Sequence, residues 1–479
     1  MKLWLKFLLV SFLLFEIFFS FKRYCYFSID GDFAPIVLPG KSYQTVMNDP
    51  FGMNVLLHDS VYPATNRFFT HWTMSVYFKN VPLLLQNFLS PIESIYSSCA
   101  LAKTFIQFFL IFLIAFYATG KNSLYDWDVL LAAAMVAPFF QVYGFNISMG
   151  IIDHSITYTF FYALALALVM LFFLPFFNRF FYLQNFNFGR MKIFMLLLLL
   201  VFISFNGSLN PAVILVVCPL VLLWFFVKNL KNTSENSFPN KILISIKSIP
   251  SPLIFIFSFA IFISLYSFYI GKNNAENFWE TIPLSERYSR LPVGLFSHFT
   301  QKLGLPLLIA MLLLNYFILK KFSTEKSSRI LKMLHWFFIL SFVYILLLPL
   351  GGYRSYRPDI IRRDTVMPLN LGLMLFYGVT AFHIIKNVQF KWKKKYYFLI
   401  AAFSGIFLFA DTEVRKSNKC ERDAIEKIAQ SKDKLIFLDN DCTVMDWHKN
   451  PDPNNTESKM EMLRYWGIIK EKKLYYQKE

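Results

Sequence analysis

The sequence predicts an all-α polytopic membrane protein, and three observations carry that prediction. Of the 479 residues, 56% are hydrophobic and only 16% are charged, where a soluble globular chain carries about a quarter. Aromatic residues reach 19%, with 58 phenylalanines, and mean hydropathy is +0.45. Several stretches of close to 20 residues are almost free of charge, the length a helix needs to cross a ~30 Å hydrocarbon core. Backbone groups in lipid must be satisfied within their own segment, so these runs read as helices and not as strands.

About eleven spans follow in order, near 3–20, 101–119, 129–147, 155–176, 192–206, 211–227, 252–270, 303–319, 334–351, 367–385 and 396–411. The first has no small-residue cleavage site and is followed by Lys22 and Arg23, so it reads as an uncleaved anchor. Pro175 is expected to kink or end the long aromatic fourth span. No internal repeat or low-complexity tract is visible. With the N-terminus cytoplasmic, the inner loops hold eighteen lysines and arginines, and the short outer loops hold eight. The net charge of +18 then reads as anchoring against anionic lipid, and no nucleic-acid footprint is present. Residues 1–411 are expected to form the transmembrane domain, with an external loop at 21–100, and residues 412–479 a small extracytoplasmic tail. A bacterial cytoplasmic membrane is the expected location.

In this topology the unusual polar residues gather on the outer side. The first external loop opens with Asp30-Gly31-Asp32 and carries Asp49, His58, Asp59, Arg67 and His71. Its later part, from Thr70 to Ser98, has helical amphipathicity and reads as a helix lying along the interface that helps wall a site. A very short loop holds Asp153 and His154, and residues 271–302 offer Glu280, Glu286, Arg287, Arg290 and His298. Residues 351–368 concentrate Arg354, Arg357, Arg362 and Arg363 beside Asp359 and Asp364. A transporter would be expected to carry ionisable groups near the midplane of its spans, and these spans are nearly empty of charge.

This arrangement resembles the C-type fold (GT-C) family of glycosyltransferases, polytopic enzymes that use polyprenyl-phosphate-linked sugars. The resemblance rests on Asp30-Gly31-Asp32 after the first span and Asp153-His154 between the third and fourth. It implies a GT-C-like fold in which an acidic residue after span one acts as base or metal-site residue. A glycine separates the two aspartates, where the family commonly has an adjacent acidic pair, which leaves metal dependence open. The partners implied are the lipid bilayer, a polyprenyl-phosphate-linked sugar, and a glycan, lipid or protein acceptor.

The residue chemistry suits that reading. Glycosyl transfer needs a base for the acceptor hydroxyl, and Asp30 or Asp32 is the candidate. An Asx-type turn at the helix end is the competing account. Asp153 and His154 are candidate ligands for Mg²⁺ or Mn²⁺, set against simple capping of the next helix. Arg354, Arg357, Arg362 and Arg363 are candidates for the donor phosphate, since guanidinium offers two parallel hydrogen bonds to its oxygens. Local pairing with Asp359 and Asp364 is the simpler account. His58, His71 and Glu280 are candidates for an acceptor cleft, the two histidines also reading as structural. Cys420 and Cys442 in the tail are a candidate disulfide, with Cys25 and Cys99 a second candidate pair. A polysaccharide polymerase or ligase, and less favourably a lipid-linked-sugar flippase or transporter, are the alternatives.

Overall fold

The structure is a computed structural model that describes residues 3–183, 189–233, 237–278, 282–351, 353, 355, 357–412 and 417–478. Among the described residues, eight helices are long and apolar enough to cross a membrane: Trp4–Tyr24, Pro91–Thr119, Ile156–Phe181, Leu209–Asn232, Ser251–Gly271, Gly304–Lys321, Glu325–Leu350 and Arg363–Asn387. The protein is a multi-pass membrane protein. The three other expected spans are helical but short or charged. Arg190–Ser204 has 15 residues, about 22 Å of helix. Lys393–Ala410 begins with three lysines. The expected span 129–147 is not one helix, because Trp127–Val136 ends in a single 3₁₀ turn at Pro138. Beyond it the chain turns back, with Asp411 accepting from the Val142 and Tyr143 N–H groups at 3.3 and 2.9 Å.

Local sequence sets the ends of the central helix. Ser90 caps Pro91–Thr119 by accepting from Glu93 N, Pro91 supplies a preset first turn, and Gly120 closes it at φ 70°. This helix begins at Pro91, inside the expected external loop 21–100, so the connection between the first two long helices spans 25–90. Within it, Phe68–Leu85 buries Met74 and Phe78 and exposes Trp72, Val76 and Leu84. Pro175 lies inside a helix that continues to Phe181, so it does not end that span.

Segments far apart in sequence meet on one face. Arg23 pairs with Asp411, Asn66 donates to the Ser267 carbonyl, and Phe69 N to the Phe205 carbonyl at 3.1 Å. The tail docks on the same face. It contains a helix, Lys419–Gln430, a parallel strand pair, β1 (Leu435–Leu438) with β2 (Leu474–Gln477), and a second helix, Glu457–Tyr465. Its apolar side merges with the first external loop in one core, where Trp466 packs on Phe33 and donates to the Phe78 carbonyl. Cys420 and Cys442 are bonded, whereas Cys25 and Cys99 are both free thiols, correcting the second expected pair. Cys99 belongs to the apolar core shared with the tail.

Glu421 ties these parts together. Fully buried, it accepts from Ile29 N, Met445 N and the Tyr96 hydroxyl, the latter two at 2.8 Å. Glu421→Ala strands three buried donors at a cost of about 1–3 kcal/mol each. Limited proteolysis of the purified variant should therefore cut within 412–479 under conditions where the parent chain stays whole.

Candidate active site

Asp30 ends the irregular stretch after the N-terminal helix, its carbonyl accepting from Phe33 N, and is sealed from solvent. Its Oδ2 accepts from the Ser155 hydroxyl at 2.7 Å and from Thr157 N at 3.1 Å, while Oδ1 is buried without a hydrogen-bond partner among the described residues. Ser155 also caps the next helix by accepting from Tyr158 N. Asp30 therefore fixes the start of the helix that follows the Asp153-His154 motif, and burial raises its pKa above the ordinary carboxylate value. The two acidic motifs identified in the sequence lie side by side.

Asp32 is only partly covered. Burial and the neighbouring Asp30 push its pKa up to about 6, with the Trp447 side chain acting in the opposite direction. Gly31 is the reason the tail can come so close. A Cβ there would stand 2.7 Å from Asp446 Oδ1 and from the Trp447 ring. The glycine that departs from the expected acidic pair thus serves contact with the tail, a role that nothing local to the motif discloses.

Around the Asp153-His154 motif lies a cavity of about 600 Å³. Its lining includes Asp153, His154, Tyr158, Lys302, Arg357, Arg362, Arg363 and Asp364. Four cations therefore face two carboxylates, a surplus of two positive charges. The cations are not equivalent. Arg363 pairs with Asp153 and donates to Asn146 Oδ1 at 2.6 Å. Arg362 makes a forked pair with Asp364 at 3.0 and 3.1 Å. Arg357 meets no carboxylate among the described residues. It donates to the Tyr158 hydroxyl at 3.3 Å and lies 5.5 Å above that ring. Local pairing therefore accounts for Arg362, while Arg357 and Lys302 are the cations left to meet an anion. Tyr158 lies just before a π-helical stretch, Thr159–Leu164, a rare geometry that often accompanies sites.

Lys103 was not singled out by the sequence reading, because it lies at the edge of an apolar run. It is buried in the Pro91–Thr119 helix, donates to the His154 carbonyl, and sits 4.6 Å from the Phe27 ring. Asp153 and Asp30 are the carboxylates that face it. The fit to a divalent ion is poor. Both Asp153 oxygens are engaged, Oδ1 by Ser155 N and Oδ2 by Arg363, and the His154 Nε2 is bonded to the Val142 carbonyl at 2.9 Å. No three metal-binding side chains converge among the described residues. No catalytic step is therefore derived through a metal.

The remaining sequence candidates scatter. His58 is exposed at the end of Met53–His58 and does not line the cavity. His71 is buried between Tyr43 and Phe161, and burial lowers its pKa to about 3, so it is a neutral packing residue that does not line the cavity. Glu280 and Arg354 lie outside the described residues.

No protein-family model matches the chain, and no curated protein matches it. Among solved structures, the archaeal oligosaccharyltransferase AglB from Archaeoglobus fulgidus, in complex with an inhibitory peptide and a dolichol-phosphate, is similar at 12% identity and a TM-score of 0.42. The match covers 97% of this chain and 64% of that one, so the chain spans just under two thirds of that enzyme's length. A likeness this distant bears on neither reaction nor substrate.

Proposed function

We propose that the chain is an integral membrane glycosyltransferase moving a sugar from a polyprenyl-(pyro)phosphate donor to an acceptor at its extracytoplasmic face. The observation that carries the reading is the cavity itself, where Arg357 and Lys302 meet no carboxylate among the described residues, and whose wall residue Tyr158 packs on Trp447, the side chain that bonds the partly covered Asp32. Asp32 takes the proton of the acceptor hydroxyl as its oxygen bonds to the anomeric carbon. The bond from that carbon to the phosphate oxygen breaks, the phosphate keeps the electron pair, and Arg357 and Lys302 stabilise its charge. Arg362 and Arg363, held by Asp364 and Asp153, shape the wall. Asp30 acts through Ser155 as a positioning residue. The N-terminus is cytoplasmic in this reading, and residues 412–479 complete the site beside the transmembrane domain 1–411.

A transfer assay with purified protein and polyprenyl-phosphate sugars tests the reaction directly; absence of transfer across the common donor sugars sinks it. Donor binding gives a sharper prediction. Arg357→Lys keeps the charge but loses the planar fork, so affinity for a polyprenyl-phosphate analogue should fall about ten-fold, on the scale of one charge-assisted hydrogen bond. Titration of the two proteins by calorimetry reads the difference, and equal affinities would return Arg357 to a structural role.

A further inference from the structure

The tail carries a feature that its own packing does not require. Trp466 is the tryptophan that anchors the tail, fully buried against Phe33 and Phe78. Trp447 is 41% exposed and contributes nothing to that core. Its position is nonetheless tightly built. Met445, a buried non-glycine residue, holds φ at 51°, a left-handed conformation that needs surrounding structure to hold it. Glu421 supplies that support by accepting from Met445 N. Asp446 then accepts from Trp447 N at 2.6 Å and is itself held by Asn450 at 2.9 Å and by Lys459. The strained turn delivers the indole between Gly31 and Tyr158, with ring centroids 5.5 Å apart and planes at 33°.

We propose that Trp447, Tyr158 and Asp32 form a binding subsite for a carbohydrate acceptor. A pyranose ring presents an apolar face of C–H groups and a rim of hydroxyls. The exposed indole, braced by the half-buried Tyr158 ring, suits the first, and a carboxylate at the indole's edge accepts from the second. The order along the site is Asp32, Trp447, Tyr158, Arg357, so an acceptor sugar on the indole lies beside Asp32 and away from the Arg357 cation. This proposal rests on the glycosyltransferase reading for its placement of the acceptor, but sugar binding is measurable without turnover.

The test is a saturation-transfer NMR titration of the full-length protein in detergent with methyl glycosides of glucose, galactose, mannose and N-acetylglucosamine. The parent chain should bind at least one of them. Trp447→Ala should weaken that glycoside about ten-fold, and Trp447→Phe, which keeps an aromatic face, less than about three-fold. A polyprenyl-phosphate analogue is titrated against the same samples and should bind parent and Trp447→Ala equally, which also reports that the variant is folded. If no glycoside binds the parent, or Trp447→Ala binds it unchanged, the subsite is refuted and Trp447 is an interfacial tryptophan. Loss of analogue binding in the parent instead overturns the donor reading and leaves the sugar result standing.

Discussion

Asp32→Asn is expected to lower transfer by ~10²–10⁴, the usual cost of losing a general base, without loss of fold. The acid limb of the parent's pH–rate profile should bend near pH 6, where burial and the charge of Asp30 place the Asp32 carboxyl. Below that pH the base carries its proton and cannot accept another. The residual rate of Asp32→Asn should lose this inflection. Stability runs the other way. The folded value lies above the ordinary 3.8, so the group's contribution is fully present below about pH 4 and is lost as pH rises through 6. Removing the charge should therefore leave the melting temperature at pH 7.5 unchanged or slightly raised. Asp30→Asn provides the contrast, since its amide oxygen can still accept from Ser155 and Thr157, and it should lose less activity. If Asp32→Asn turns over normally while Asp30→Asn does not, the base is Asp30.

The second large effect belongs to Arg363. Its pair with Asp153 is mostly buried, at 23% and 5% side-chain exposure. Breaking such a pair by removing one partner costs about 3 kcal/mol or more, because the surviving charge is left in a poor solvent. Arg363→Met should lower the apparent melting temperature in detergent by several degrees, aggravated by the donor that Asn146 loses. Adding Asp153→Asn removes the stranded carboxylate and should recover most of that loss. A full recovery of stability without recovery of transfer would assign the pair to the geometry of the site. If Arg363→Met melts like the parent, the pair is solvated and the ledger of charges in the cavity has to be redrawn.

What the sequence discloses follows from physics that acts locally. Hydropathy locates the helices because a span must satisfy its own backbone. It overestimates 129–147 because a run of apolar residues says nothing of the 3₁₀ turn at Pro138 or of the distant carboxylate at Asp411 that captures the next two amides. Asp30, Asp153 and the arginine loop are recognisable since charge at these positions needs a reason, and the structure brings them together. Which arginine is left unpaired is not recognisable, because that depends on partners such as Asn146 far away in the chain. Lys103 escapes notice for the same reason: its surroundings are supplied by three other segments. The tail's share in the site is equally hidden, as a glycine at 31 gives no hint of a tryptophan at 447.

The contact between residues near 30 and residues 421–447 also sets a timetable for biogenesis. Ile29 is bonded to a glutamate 392 positions later, and Gly31 is covered by Asp446 and Trp447. A ribosome adding roughly 5–20 residues per second needs tens of seconds to cover that distance. Throughout that interval residues 25–90 exist, yet the segment that covers them has not been made. The unfinished chain must keep Asp30 and Asp32 in water, and it holds no complete site. Truncation before residue 417 should thus leave Ile29 and Gly31 without the contacts that cover them here.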